Sequence, residues 1–221
     1  MKKIFAVLCL MLSVVTLNAQ DVVKFKNAGY EALKAKKYSV ALENFEKAFV
    51  ADAERMGKEN NTIYNMGTCA YKVKDYDKAI KYFTTCFDNG FKGEKAIRYI
   101  AYSRKKQKDA EGYVASLQKG LEKYPNSISL KKSLAKHYLL DANKTYSKGV
   151  KVLTEANQKV AAKAFDTNAP QYKAAQAKAV VSFKEALPAC EKSLEINPDY
   201  AQAKQMKANI EKSIAENSPK K

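Results

Sequence analysis

The side chains best suited to nucleophilic, acid–base or metal chemistry are few in this sequence and poorly placed for it. There is one histidine, His137, in 221 residues. It stands beside Tyr138, reads as lacking a Cys, Asp or Glu at ligand spacing, and is expected to be structural rather than catalytic. Four cysteines, Cys9, Cys69, Cys86 and Cys190, make no C-x-x-C pair. Gly90 and Gly93 read as turn residues, not as a phosphate-cradling loop. No catalytic constellation, metal-ligand set or cofactor motif emerges, so the expectation is a non-enzyme without a cofactor.

Positive charge is what the chain holds in quantity. It has 40 Lys+Arg against 23 Asp+Glu, a formal net charge of +17. Residues 94–165 carry 16 of the basic and 6 of the acidic side chains. Such density attracts nucleic acid, anionic lipid headgroups, acidic glycans or acidic proteins. No nucleic-acid-binding motif accompanies it.

The leader bears on which of these the chain would meet. Lys2 and Lys3 precede the apolar run Ile4 to Leu17, and Asn18-Ala19 supplies a small residue before Gln20. This is the anatomy of a secretory signal peptide at 1–19, too short for an ordinary spanning helix. No later stretch is long and apolar enough to span. An exported, periplasmic protein with a Gram-negative-like leader is expected, which argues against nucleic acid as the partner. Without its leader the chain has 38 basic and 23 acidic side chains, and Cys69, Cys86 and Cys190 as its thiols. An odd number of thiols leaves at least one unpaired or pairing between chains.

With 46% hydrophobic residues but only 8 Gly and 5 Pro, the chain has the means to fold and few turns. A helical rather than a many-stranded architecture follows. An internal repeat makes it specific. NAGYEALKAKKYSVALENFEKAF, from Asn27, aligns with NMGTCAYKVKDYDKAIKYFTTCF, from Asn65. Gly29 matches Gly67, Tyr38 matches Tyr76, Ala41 matches Ala79 and Phe45 matches Phe83, all at an offset of 38. Small residues at helical spacing let two antiparallel helices approach, and large ones fill the space between them. Such hairpins cannot bury their apolar faces alone, so they stack.

This pattern resembles the tetratricopeptide repeat, a helix–turn–helix unit of 34 residues. The four extra residues of the offset fall at 56–59, MGKE. A third unit fits 94–127, with Ile97, Ile100 and Ala101 on its first helix and Ala110, Tyr113, Leu117 and Gly120 on its second. The resemblance implies an all-α solenoid over 20–216, with units at 22–55, 60–93 and 94–127. An elongated fourth unit spans 128–199, then a capping helix at 200–216 and a polar tail at 217–221. The fourth unit opens with Leu134, Ala135 and Tyr138 and closes with Ala186, Cys190, Leu194 and Pro198. Between these, two long helical arms turn at Asp166 to Pro170, and Pro188 is expected to kink the returning arm or start a fresh helix. Val150, Val152, Leu153 and Val160 suit packing between the arms.

The resemblance also implies a concave face lined by the first helix of each unit. Here that lining is Lys26, Tyr30 and Lys34 from the first unit, and Tyr64, Asn65, Thr68, Tyr71 and Lys72 from the second. The third contributes Lys95, Arg98, Tyr102, Lys105 and Lys106. Tyrosine supplies rigid contact area, and Lys or Arg reads carboxylates, so a protein or peptide partner, acidic in character, is implied. Lys26, Asn65 and Lys95 also fall at three of the five positions of the family's two-carboxylate clamp. Tyr30 and Tyr99 replace the second Asn and the Arg, so chaperone-tail recognition is not expected. The bland alternative is a solvated basic face with packing tyrosines. A second functional reading is an envelope component held to anionic lipid or glycan by the basic surface at 94–165. Cys69 and Cys86 stand where the family has Ala and read as buried small residues, with a disulfide between them left open.

Overall fold

The computed structural model describes residues 20–218. The expected leader and most of the polar tail lie outside them. Ten helices follow one another: α1 (20–34), α2 (Tyr38–Ala51), α3 (Ala53–Lys58), α4 (Asn60–Lys72), α5 (Tyr76–Asp88), α6 (Gly93–Lys106), α7 (Ala110–Lys123), α8 (Ile128–Ala161), α9 (Pro170–Ile196) and α10 (Ala201–Asn217). Among the described residues there is no strand. The all-α, tetratricopeptide-type hairpin architecture is thus what the chain adopts. It divides into two compact units, one ending at Pro125 and one beginning at Asn126.

The first unit stacks three hairpins, α1–α2, α4–α5 and α6–α7. Side-chain caps fix where several helices begin: Asp75 accepts from the Lys78 amide at 3.1 Å, and Asp109 from the Gly112 amide at 2.7 Å. The repeat's Gly–Phe pairing sets how closely the helices pack. A Cβ on Gly29 would stand 2.6 Å from the Phe45 ring, and one on Gly67 3.0 Å from Phe83. Both phenylalanines are fully buried. The extra residues between the first two units form α3, whose Met56 is buried against Val22 and Ala48. In the third hairpin Tyr113 and Leu117 are buried as expected, but Ala110 is exposed because it is the first residue of α7.

Each hairpin turn closes in the same way. Lys36, Lys74, Lys108 and Lys163 adopt φ of 58°, 68°, 64° and 58°. The amide after each reaches back to the carbonyl five residues earlier, as from Lys37 to Ala32 and Asp75 to Ala70. Glycine is the usual occupant of that left-handed position, and a side chain there costs roughly 1 kcal/mol.

The second unit is the elongated hairpin with α10 against it. At 34 residues, α8 is about 50 Å long by the helical rise. Its buried small residues Ala135, Ala142, Gly149 and Ala156 recur every seventh position. On α9, Ala179, Ala186 and Ser193 do the same, running the other way. Ser193 Oγ donates to the Ala135 carbonyl at 2.8 Å. Two seven-residue steps outward, a Cβ on Gly149 would meet the Phe183 ring at 2.5 Å and the Ala179 carbonyl at 2.9 Å. The arms therefore pair as an antiparallel coiled coil with a seven-residue period. Phe183, packed against Tyr146 at 5.0 Å between ring centres, repeats in this unit the Gly–Phe device of the first. Ile210, Met206 and Ile214 of α10 close the same core.

Three local expectations change. Pro188 neither ends α9 nor starts a new helix; α9 runs through it, and because Lys184 and Pro188 are exposed, water can serve the carbonyl left without a donor. Val150 is 39% exposed rather than packed between the arms, while Val152 and Leu153 do join the core. His137 does have an acidic neighbour: its Nε2 lies 3.3 Å from Asp141 Oδ2, one helical turn on. The ring also packs edge-on to Tyr138, which suits the structural role.

Candidate functional site

The expected groove residues separate into three groups in the first unit. The first is a cleft of about 260 Å³ lined by Tyr64, Lys95, Arg98, Tyr99 and Tyr102. α4 presents Tyr64, and the others lie one turn apart along α6. Tyr99 stacks on the buried Phe83 at 4.7 Å, 7° from parallel, so the core fixes the cleft wall. Tyr64 meets Phe83 and Tyr99 edge-on at 5.3 and 6.4 Å, and Tyr71 meets Tyr99 at 5.3 Å. Burial, the largest cause in each case, pushes the Tyr64 and Tyr71 hydroxyls above their ordinary range, so both stay protonated donors.

Cationic groups surround these rings. Lys92 lies 4.5 Å from the centre of Tyr64, and the Arg98 guanidinium 5.9 Å from that of Tyr102. The Nε of Arg98, like that of Arg104 outside the cleft, is buried without a hydrogen-bond partner among the described residues, an arrangement that costs free energy. The cleft can thus offer aromatic surface, lysine charge and a guanidinium to a carboxylate-bearing segment.

The second group is already occupied. Lys26 Nζ donates to Glu59 Oε1 at 2.7 Å, Thr62 donates to Glu59 Oε2 at 2.9 Å, and Tyr30 and Thr62 share a hydrogen bond of 2.9 Å. The clamp-position lysine is therefore spent on the protein's own carboxylate. Burial works against ionising Glu59, but Lys26 and Thr62 outweigh it and hold the carboxyl below its usual range.

The third group stands apart from both. Lys34, Lys72, Lys105 and Lys106 lie at the C-terminal ends of α1, α4 and α6, exposed at the hairpin turns. Asn65 and Thr68 remain half-buried on α4, with Thr68 Oγ1 donating to the Tyr64 carbonyl at 3.0 Å.

Tyr99 of the cleft and Lys92 beside its Tyr64 ring escaped the groove assignment. Tyr99 was legible only as a departure from the clamp. Lys92 sits in the left-handed region, φ 48°, in the turn before α6, where no helical spacing points to it. A further depression of about 390 Å³ opens beside α3, with Glu46 accepting from Tyr82 at 2.8 Å and pairing with Lys78. Cys69, Cys86 and Cys190 are free and buried. Burial pushes the first two thiols up to about 11, so they remain neutral and unreactive at physiological pH. Among the described residues no three of His, Cys, Asp and Glu gather as a metal site would need. No described helix is long and apolar enough to cross a membrane.

Comparison with known proteins agrees with this architecture. Residues 95–127 match the family model of the tetratricopeptide repeat. A TPR repeats protein from Bacteroides fragilis, solved by crystallography, is 22% identical, with 86% of this chain and 98% of that one aligned at a TM-score of 0.53. YrrB, a TPR protein with an unusual peptide-binding site, is 16% identical over 89% of this chain and 97% of its own, at a TM-score of 0.45. Yeast Tom70 is 15% identical over 89% of this chain and 44% of its own, also at 0.45. No curated protein matches the sequence.

Proposed function

We propose, from the premise of a chain built on tetratricopeptide hairpins, that this protein is a non-enzymatic interaction module of the periplasm or cell envelope. Its first unit binds a carboxylate-bearing peptide segment of a partner protein. The observation that carries this reading is the Tyr64–Lys95–Arg98–Tyr99–Tyr102 cleft, in which a guanidinium with an unmet donor lies among tyrosines braced by the core. Rigid aromatic anchors beside an arginine are what protein-binding hot spots are made of. The leader at 1–19 is the support for export.

The test is retention of envelope proteins on the immobilised chain, residues 20–221, through a high-salt wash. The parent is expected to keep one or two proteins, and Lys95→Glu with Arg98→Glu to release them. Lys26 is unsuitable for reversal because it holds Glu59, and Lys105→Glu at the turn serves as the control. Equal retention by the parent and the double reversal sinks the cleft as the binding site.

A further inference from the structure

The three hairpin turns of the first unit are neighbours along one edge. Gln107 of the third turn donates to Asp77, beyond the second, at 2.7 Å. Lys72, at the second turn, lies 5.9 Å from the ring of Tyr38, which follows the first. Eight lysines crowd this edge, Lys34, Lys36 and Lys37 at the first turn, Lys72 and Lys74 at the second, and Lys105, Lys106 and Lys108 at the third. All eight are exposed.

Of the acidic groups nearby, Glu111 in the first turn of α7 is exposed, and the others are committed elsewhere. Asp75 and Asp109 cap the helices that follow, Asp109 also pairs with Arg104, and Asp77 holds Gln107. Among the described residues one of the eight lysines, Lys34, has an acidic partner within 4.0 Å, namely Glu31. Each turn also keeps a lysine at the left-handed position that glycine fills at no steric cost, Lys36, Lys74 and Lys108. Packing does not require a side chain at a solvated turn, so charge is what the strained positions retain.

The form of the edge indicates its counterpart. The clefts described above are lined by other residues. The edge's free cations are all lysines, hydrated point charges on flexible stems, suited to a diffuse field of anions rather than to the paired geometry an arginine reads. Val73, 38% exposed at the second turn, adds an apolar contact. We infer that the turn edge of the first unit docks on an anionic lipid surface through Lys36, Lys74 and Lys108 and their flanking lysines, distinct from the peptide cleft.

The test is co-sedimentation of residues 20–221, which contain every described helix, with phosphatidylcholine vesicles with and without phosphatidylglycerol. The parent is expected to bind only the anionic vesicles and to be released by salt. Lys36→Gly, Lys74→Gly and Lys108→Gly together remove charge while relieving the backbone. That variant should melt at or above the parent's temperature yet bind roughly a hundredfold more weakly. Neutralising the cleft instead, with Lys95→Gln and Arg98→Gln, should leave more affinity than the glycine variant, since two more distant charges are removed against three at the edge. Glycine variants that bind as tightly as the parent overturn the inference. So does a parent that ignores anionic vesicles, including one that binds only acidic protein, and so does a loss confined to Gln substitutions of Lys144, Lys148, Lys151 and Lys159 on the long hairpin.

Discussion

At Glu59, burial and charge pull in opposite directions, and charge wins. Its carboxylate lies among Lys26, Thr62 and Arg55, and its pKa falls below the ordinary 4.5. A carboxyl depressed on folding contributes stability that is complete above its unfolded pKa and lost as pH falls through the folded one. Urea midpoints measured from neutral pH down through the acid range should therefore drop below about pH 4.5 more steeply in the parent than in Glu59→Gln. Equal slopes would show that the pair contributes nothing on folding. This is also the scale at which the candidate site was least legible. Lys26 and Arg98 stand at the same repeat position, but Lys26 meets a carboxylate because Glu59 arrives from the four residues inserted between units. Nothing in the regular spacing announces a partner brought by an irregular segment.

At the level of helices, two glycines of the same type in sequence do opposite work. Gly149 lies where α8 and α9 approach closely, so a methyl there would press on the Phe183 ring and the Ala179 backbone. Gly57, on α3, has nothing within 4 Å of where its Cβ would be. Gly149→Ala should lower stability by about 1–3 kcal/mol, as overpacking does, and Gly57→Ala should raise it by roughly 0.5–1 kcal/mol. Chemical denaturation of both variants would check the opposite signs. The first two hairpins were legible because glycine and phenylalanine recur in fixed relation, and bulk against a gap is a strong signal. The long hairpin was legible as two helices but not in its pairing. Its marker is alanine and glycine every seventh residue, small side chains that no search for large apolar positions detects, and a period different from that of the other units. Pro188, expected to kink the returning arm or start a fresh helix, starts none, since its exposed side of α9 tolerates it.

On the scale of the molecule, the boundary at Pro125 separates two bodies that each bury their own core. Val22, Phe45, Phe83 and Leu117 serve the first, and Phe183, Cys190 and Ile210 the second. Residues 20–125 made alone should give a helical spectrum, unfold in one cooperative transition and retain the cleft's partner. A fragment that is unfolded by circular dichroism would refute that independence. The hairpin order of this architecture was readable from the repeat, but the division was not, since residues 124–128 continue without glycine or a polar run. The matched sevens of α8 and α9 also govern reach. Excising seven residues from one arm alone would slide every small side chain off its opposite number, while removing seven from each would shorten the hairpin and leave each remaining pair facing as before. The length of this hairpin is thus adjustable only in paired steps, like a telescoping strut with fixed stops.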